Sequence, residues 1–208
     1  SATQQGTDWR DNDPDVEPVV EIYQGFESSY EHQGAPRAWK EGEKTVHQGL
    51  KPLGFIWNAW AKGYKLGVQS SSDHVSTHVS YACVLAEDFT RAGILDALRK
   101  RHAYAATDNI VLDYRVATPD KGTVLMGDIV DTSGEPKLMV KVIGTGKVKQ
   151  IDVIKNNAYI HKVNPDSQET EFEYQDRSSA PGESYYYVRV EQADGQLAWS
   201  SPIWVRRR

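Results

Sequence analysis

The sequence predicts an α/β region followed by an all-β domain. Two observations carry this reading. Up to His102, strand-like and helix-like segments alternate in the order strand, long loop, helix, strand, loop, strand, helix. Beyond His102 no helical periodicity remains, and short strand-like runs recur between turn signals. Roughly seven such runs over about a hundred residues match the spacing of an immunoglobulin- or fibronectin-type β-sandwich. The change of pattern places a boundary near Ala105 to Asn109, so that residues 1–106 and 107–208 are the two expected units.

The first strand is expected within Glu17 to Gly25, where Val19, Val20, Ile22 and Tyr23 are strand formers and Pro18 suits a strand start. Glu21 interrupts this apolar run. A carboxylate in a buried strand is costly unless it is paired or bound to metal, which marks Glu21 as a functional or paired group; the alternative is a half-exposed face. Phe26 to Gly49 reads as a long loop carrying Glu27, Tyr30, Glu31, His32, Arg37, Trp39 and His47, a mixture that suits a rim or lid. Leu50 to Gly63 has helical spacing at Leu53, Ile56, Trp57, Trp60 and Ala61. Tyr64 to Gln69 is a strand, and Ser80 to Leu85 another. Thr90 is the expected N-cap of a helix over Arg91 to Arg101, with Ile94, Leu95 and Leu98 inward and an Asp96–Lys100 pair outward.

The chemistry-bearing stretch follows the strand that ends at Gln69. It reads Ser-Ser-Ser-Asp-His-Val-Ser-Thr-His over residues 70–78. Asp73, His74 and His78 offer carboxylate oxygen and imidazole nitrogen, a donor set that suits zinc, manganese or iron. His74 and His78 are four apart and share a face in either regular conformation. The other reading is a polar loop whose histidines cap backbone groups.

Composition narrows the function classes. A net charge of −5 and a pI near 5.7 argue against a general nucleic-acid binder, which needs a basic surface. The basic run Arg206-Arg207-Arg208 reads as a solvated tail. The single cysteine, Cys83, cannot form an internal disulfide, and its apolar neighbours make it a small buried hydrophobe. No apolar stretch is long enough to span a membrane. The sequence does not begin with Met, and its polar start reads as the middle of a longer chain. Trp9 is expected to anchor the acidic arm Thr7–Asp15.

In the second half, strands are expected near 110–116, 124–130, 137–143, 148–155, 158–163, 170–175, 184–191 and 203–206. Tyr185 to Val190 alternates as a core strand should. Trp199 and Trp204 are five apart, which on one uninterrupted strand puts them on opposite sides; Pro202 between them points to a bulge or an edge. Structural core is the expected role, with at least one of the two buried, and an exposed aromatic platform for a glycan or protein partner is the alternative.

Four stretches together resemble a known family: residues 17–25, residues 71–78, the helix from Thr90 through Arg101-His-Ala-Tyr-Ala-Ala-Thr107, and Trp199-Ser-Ser-Pro-Ile-Trp-Val205. They are similar to the C-terminal portion of large bacterial proteins of the PHP (polymerase and histidinol phosphatase) superfamily, in a branch known mainly as a domain of unknown function. The resemblance implies the later part of a distorted β/α barrel whose His, Asp and Glu ligands hold metal ions that activate water for phosphoester hydrolysis. It assigns Asp73 and His74 to the last ligand motif and Glu21 to an earlier strand. The His-x-His motif that opens such barrels is absent, and His74 follows Asp73 directly where the family has Asp-x-His. The resemblance therefore implies a fragment with an incomplete site for divalent metal. Its partners would be a phosphorylated small molecule and the remainder of the parent barrel or a second copy. Arg37 and Lys40 are candidates to hold the phosphate. An exported or periplasmic location is implied by the same resemblance.

Two functions follow. One is a piece of a metal-dependent phosphoesterase using Asp73, His74, His78 and Glu21. The other is a non-catalytic β-sandwich that binds a glycan or a protein partner.

Overall fold

The computed structural model describes residues 9–25, 28–40, 42, 50–74 and 78–208. Glu27 and His47 of the expected rim lie outside the described residues, as do Thr7 and Asp8 of the acidic arm. The architecture is a small mixed sheet with one helix beside it, joined to a large curled sheet. This is an α/β region plus an all-β region.

In the small sheet, β1 (Val19–Gln24) pairs antiparallel with β2 (Ser28–Ser29) and parallel with β3 (Gly67–Ser70). A parallel pair needs a crossover, and the crossover here carries α1 (Ile56–Ala61). The helix is shorter than its sequence pattern because Pro52 opens a separate 3₁₀ turn over Pro52–Gly54. Ile56, Ala59 and Trp60 are buried, and the Trp60 indole donates to the Leu66 carbonyl at 2.9 Å. Trp9 is buried as expected and donates to the Phe55 carbonyl at 3.1 Å.

The chain then enters the large sheet through β4 (Tyr81–Val84), α2 (Arg91–Arg99) and β5 (Ala103–Ala106). Thr90 caps α2 as expected, accepting from the Gly93 amide at 3.1 Å, and Lys100 meets Asp96 at 2.7 Å. The inner face differs from expectation. Ala97 is the buried residue of α2, Ile94 and Leu98 are half-buried, and Leu95 is 43% exposed. The helix lies against β4, the end strand of the sheet, which has a hydrogen-bonded neighbour on one side.

The remaining strands are β6 (Val111–Thr118), β7 (Gly122–Leu125), β8 (Ile129–Thr132), β9 (Lys137–Lys155), β10 (Ala158–Val163), β11 (Ser167–Gln175), β12 (Gly182–Gln192), β13 (Leu197–Ser200) and β14 (Ile203–Arg207). The sheet runs β4-β5-β13-β12-β9-β6-β7, with β10 and β11 also on β9 and β14 bridging β12 to β8. The two strands expected at 137–143 and 148–155 are one long strand. Its first half pairs with β6 and β11, its second with β12 and β10. Gly144 sits at the changeover, where a Cβ would meet the Gly146 carbonyl oxygen at 2.4 Å and Gln192 Oε1 at 2.5 Å. Buried Gln192 takes the freed Thr145 amide at 2.8 Å, so the strand bends without leaving a backbone donor unpaired.

Strand β12 is buried on both faces. Tyr185 and Tyr187 join Trp60, Val68, Trp199 and Trp204 in one apolar cluster. Tyr186, Val188 and Val190 join Leu112, Tyr114, Val116 and Val140 in the other, enclosed by the curl of the sheet. The expected boundary at 105–109 falls between β5 and β6. Across it β5 pairs with β13, and the first cluster takes side chains from both sides. Trp199 and Trp204 are both buried and lie in the same cluster. The break at Ser201-Pro202 between β13 and β14 resets the alternation that would have separated them. Among the described residues no helix is long and apolar enough to cross a membrane.

A buried ionic junction closes the interface between the small sheet and the large one. Glu31, just after β2, is fully buried and accepts from Arg189 Nη1 at 2.8 Å, Trp199 Nε1 at 2.9 Å and the Tyr187 hydroxyl at 2.6 Å. Arg189 also donates to Asp152 Oδ2 of β9 at 2.7 Å.

Trp204 packs under the Lys65 and Arg101 side chains, each 5.6 Å from its ring centroid. Trp204→Ala is expected to cost roughly 3–5 kcal/mol in urea denaturation, as for other buried aromatic truncations. An unchanged midpoint would contradict its place in the core.

Candidate functional site

The parallel pairing of β1 and β3 sets the C-terminal ends of both strands side by side, where α/β sheets carry their ligand-binding loops. The register shifts between Glu21 and Tyr23, so the end of β1 is bulged. The chain leaving β1 turns at Gly25 against the chain leaving β3. A Cβ on Gly25 would lie 2.1 Å from the Ser72 carbonyl oxygen, so only glycine allows this approach. Asp73 takes the left-handed conformation at φ 52°, which a short polar side chain tolerates. Ser72 Oγ fixes the return of the loop by accepting from the Val79 amide at 2.9 Å and the Ser80 amide at 3.1 Å.

These turns put Asp73 near enough to Glu21 for its charge to act there. Glu21 accepts a hydrogen bond from Ser71 Oγ. Partial burial pushes its carboxyl above the ordinary Glu range, the Ser71 bond opposes this, and the charge of Asp73 adds to it. Asp73 is held on both oxygens. Oδ2 accepts from Gln24 Nε2 at 2.7 Å and Oδ1 from the His74 amide at 2.6 Å. Gln24 is itself oriented by Tyr30, whose hydroxyl donates to Gln24 Oε1 at 2.5 Å. Burial, then Glu21 and Asp73, hold the Tyr30 phenol well above its usual range, so it stays a donor.

The histidines are placed differently. The His74 side chain is 83% exposed, with Nε2 3.8 Å from Asp73 Oδ1. His78 is exposed. His74 lies in a turn and His78 in a bend. Among the described residues, no group of three or more His, Cys, Asp and Glu side chains is arranged to hold a metal ion. Arg37 and Lys40 line one surface cleft of about 590 Å³ formed by residues 34–40, with no carboxylate in its lining. Arg37 donates to the Tyr23 hydroxyl at 2.8 Å. Cys83 is half-buried, and burial pushes its thiol up.

Gln24, Tyr30 and Ser71 are part of this arrangement and carry no signal in spacing or composition. Only the fold brings them to the carboxylates.

No family model matches the chain. Over 99% of its length it is similar, at 30% identity, to an uncharacterized protein of Chlamydia pneumoniae, of which it covers 37%. An uncharacterized protein of Chlamydia trachomatis is 30% identical over 92% of the chain, and one of Chlamydia muridarum 28% identical over 96%. The chain covers 35% and 36% of those two. It thus spans little more than a third of the length of the curated relatives it matches.

A carboxyl held up in the folded state binds more protons there than in the unfolded chain. The associated stability is full below the ordinary Glu range and is lost as pH rises through the folded value. Glu21→Gln removes this loss and keeps an acceptor for Ser71. The variant is expected to be more stable than the wild type at neutral pH and equal to it in acid. Thermal melts across pH check this, and a variant less stable at neutral pH would contradict it.

Proposed function

We propose that this chain supplies the carboxylate half of a metal-dependent hydrolytic site, with a phosphoester as the substrate class. The observation that carries the reading is that Glu21 in β1 and Asp73, just past the parallel strand β3, lie close enough for the Asp73 charge to push the Glu21 carboxyl up. The charge of Asp73 adds to what partial burial costs the ionised Glu21, and a divalent cation would relieve that cost.

The residues present fit two oxygen ligands. A catalytic ion needs about three protein ligands and an open position. The missing donors would come from chain beyond these residues, a reading supported by relatives almost three times as long. When bound, such an ion would lower the pKa of a water and draw charge from a phosphoryl oxygen. The chain's own contribution is orientation and charge. Gln24 fixes the plane of Asp73, Ser71 fixes Glu21, and Arg37 with Lys40 offers a cationic cleft for an anion. A PHP-like barrel segment followed by an immunoglobulin-like sandwich is the finer fold that goes with this reading. Its support is the parallel pair with acids at its C-terminal end.

Manganese titration followed by electron paramagnetic resonance tests the proposal. The expected result is weak binding of a single ion, reduced about tenfold or more in both Asp73→Ala and Glu21→Gln. Little or no phosphoesterase activity is expected from residues 1–208 alone. Equal affinity in wild type and both variants would remove the site. A stoichiometric cluster of several ions would contradict its being a half.

A further inference from the structure

A second arrangement lies on the other side of the junction, away from the carboxylate pair. His32 Nδ1 is 2.8 Å from the Gln33 carbonyl oxygen. A carbonyl only accepts, so Nδ1 carries the proton. In the neutral ring Nε2 is then an acceptor, and it lies 2.6 Å from the Tyr159 hydroxyl. The phenol therefore donates to the imidazole. Its oxygen accepts in turn from Arg189 Nη1 at 3.1 Å, and the guanidinium carbon sits 5.3 Å from the ring centroid. A base and a cation thus bracket one phenolic oxygen.

The base cannot drift. The His32 ring stacks on Trp57 with centroids 3.9 Å apart. Trp57 is fixed by its indole bond to the Tyr187 hydroxyl at 2.6 Å, and its carbonyl accepts from Asn157 at 3.0 Å. Arg189 is fixed by Glu31 and Asp152. Tyr159 as a residue is 47% exposed, so the pair lies at the surface. Burial raises the Tyr159 phenol and Arg189 lowers it, with a net rise, so the group is protonated and needs a base to react. Nucleophile, base and a third group that orients the base is the geometry of activated side-chain nucleophiles.

We propose that Tyr159 is a nucleophilic phenol with His32 as its general base, open to acyl transfer from an activated carboxylic ester. In the step, Tyr159 Oη forms a bond to the ester carbonyl carbon and the bond from that carbon to the leaving alcohol breaks. The phenolic proton passes to His32 Nε2 and from there to the leaving oxygen, so that the imidazole ends neutral. Arg189 stabilises the charge on the phenol oxygen as the proton leaves. Glu31 and Asp152 face Arg189 from the loop and from β9, and Lys162 lies 4.0 Å from Asp152 Oδ1, so the charges around the pair are nearly balanced.

The probe is 4-nitrophenyl acetate on the full chain, with peptide mass spectrometry to locate the acetyl group. Hydroxylamine removes it from a phenol and leaves it on lysine, which separates the target from surface amines. Tyr159 is expected to acquire the label, at least about tenfold faster in the wild type than in His32→Gln. Tyr159→Phe should lose the hydroxylamine-sensitive label. The wild-type rate should follow one ionisation with pH, a dependence missing from His32→Gln, and added imidazole should restore rate in His32→Ala. Equal labelling of Tyr159 in wild type and His32→Gln would overturn the proposal. If that variant does not fold, a wild-type rate without the ionisation overturns it as well.

Discussion

The structure depends on how one buried carboxylate is satisfied. Glu31 lies in the loop after β2 with no exposure to solvent, and among the described residues its carboxylate accepts from Arg189, Tyr187 and Trp199, all of the large sheet. An ionised carboxylate in such a place is tolerated only when paired and hydrogen-bonded. Arg189 in turn is held between Glu31 and Asp152, so three strands and a loop must be in register before any of these charges is neutralised. Desolvation offsets much of the attraction in a buried ion pair. The junction therefore acts less as a source of net stability than as a condition on assembly. The small sheet fits the large one in the single arrangement that leaves no charge alone. Among the described residues, Asp152 Oδ1 and Arg189 Nε lack a hydrogen-bond partner, and Asp152 Oδ1 has only the longer ion pair with Lys162 at 4.0 Å.

Both candidate sites take their geometry from this condition. Glu31 fixes the chain between Tyr30, which orients Gln24 and through it Asp73, and His32, which meets Tyr159. Three consecutive residues thus serve a carboxylate pair on one side, the junction in the middle, and a phenol–imidazole pair on the other. A shift of this short segment would disturb all three.

The sequence revealed the parts governed by local chemistry. The alternation of β12, the cap at Thr90, the Asp96–Lys100 pair and the strand-rich second half were all legible from spacing and composition. The places where it misled are those decided by distant partners. Strands were expected at 137–143 and 148–155, and the chain runs through as one strand, β9, because Gln192 fills the bend at Gly144. On the expected inward face of α2, Leu95 is exposed and Ile94 and Leu98 are half-buried, because the helix packs at the end strand β4. Trp199 and Trp204 share a cluster because a chain break resets their alternation. Of the site, Glu21 stood out as a carboxylate in an apolar strand, and Asp73 by its place after one. Gln24, Tyr30 and Ser71 did not, since amides, phenols and hydroxyls are common and only the β1–β3 register selects these three. Arg189 passed as the polar member of an alternating strand, although its alternation partner faces were both buried.

The most direct test of this account is the unfolding of Arg189→Met beside the double variant Arg189→Met/Glu31→Gln. Tryptophan fluorescence follows the first core cluster, and far-ultraviolet circular dichroism follows the large sheet. The account predicts that Arg189→Met alone loses about 3–5 kcal/mol, because Glu31 is left buried without its cation. The double variant should recover part of that loss, with both signals changing together. Wild-type stability in Arg189→Met, or no recovery in the double variant, would contradict the claim that pairing of Glu31 governs how the two sheets join.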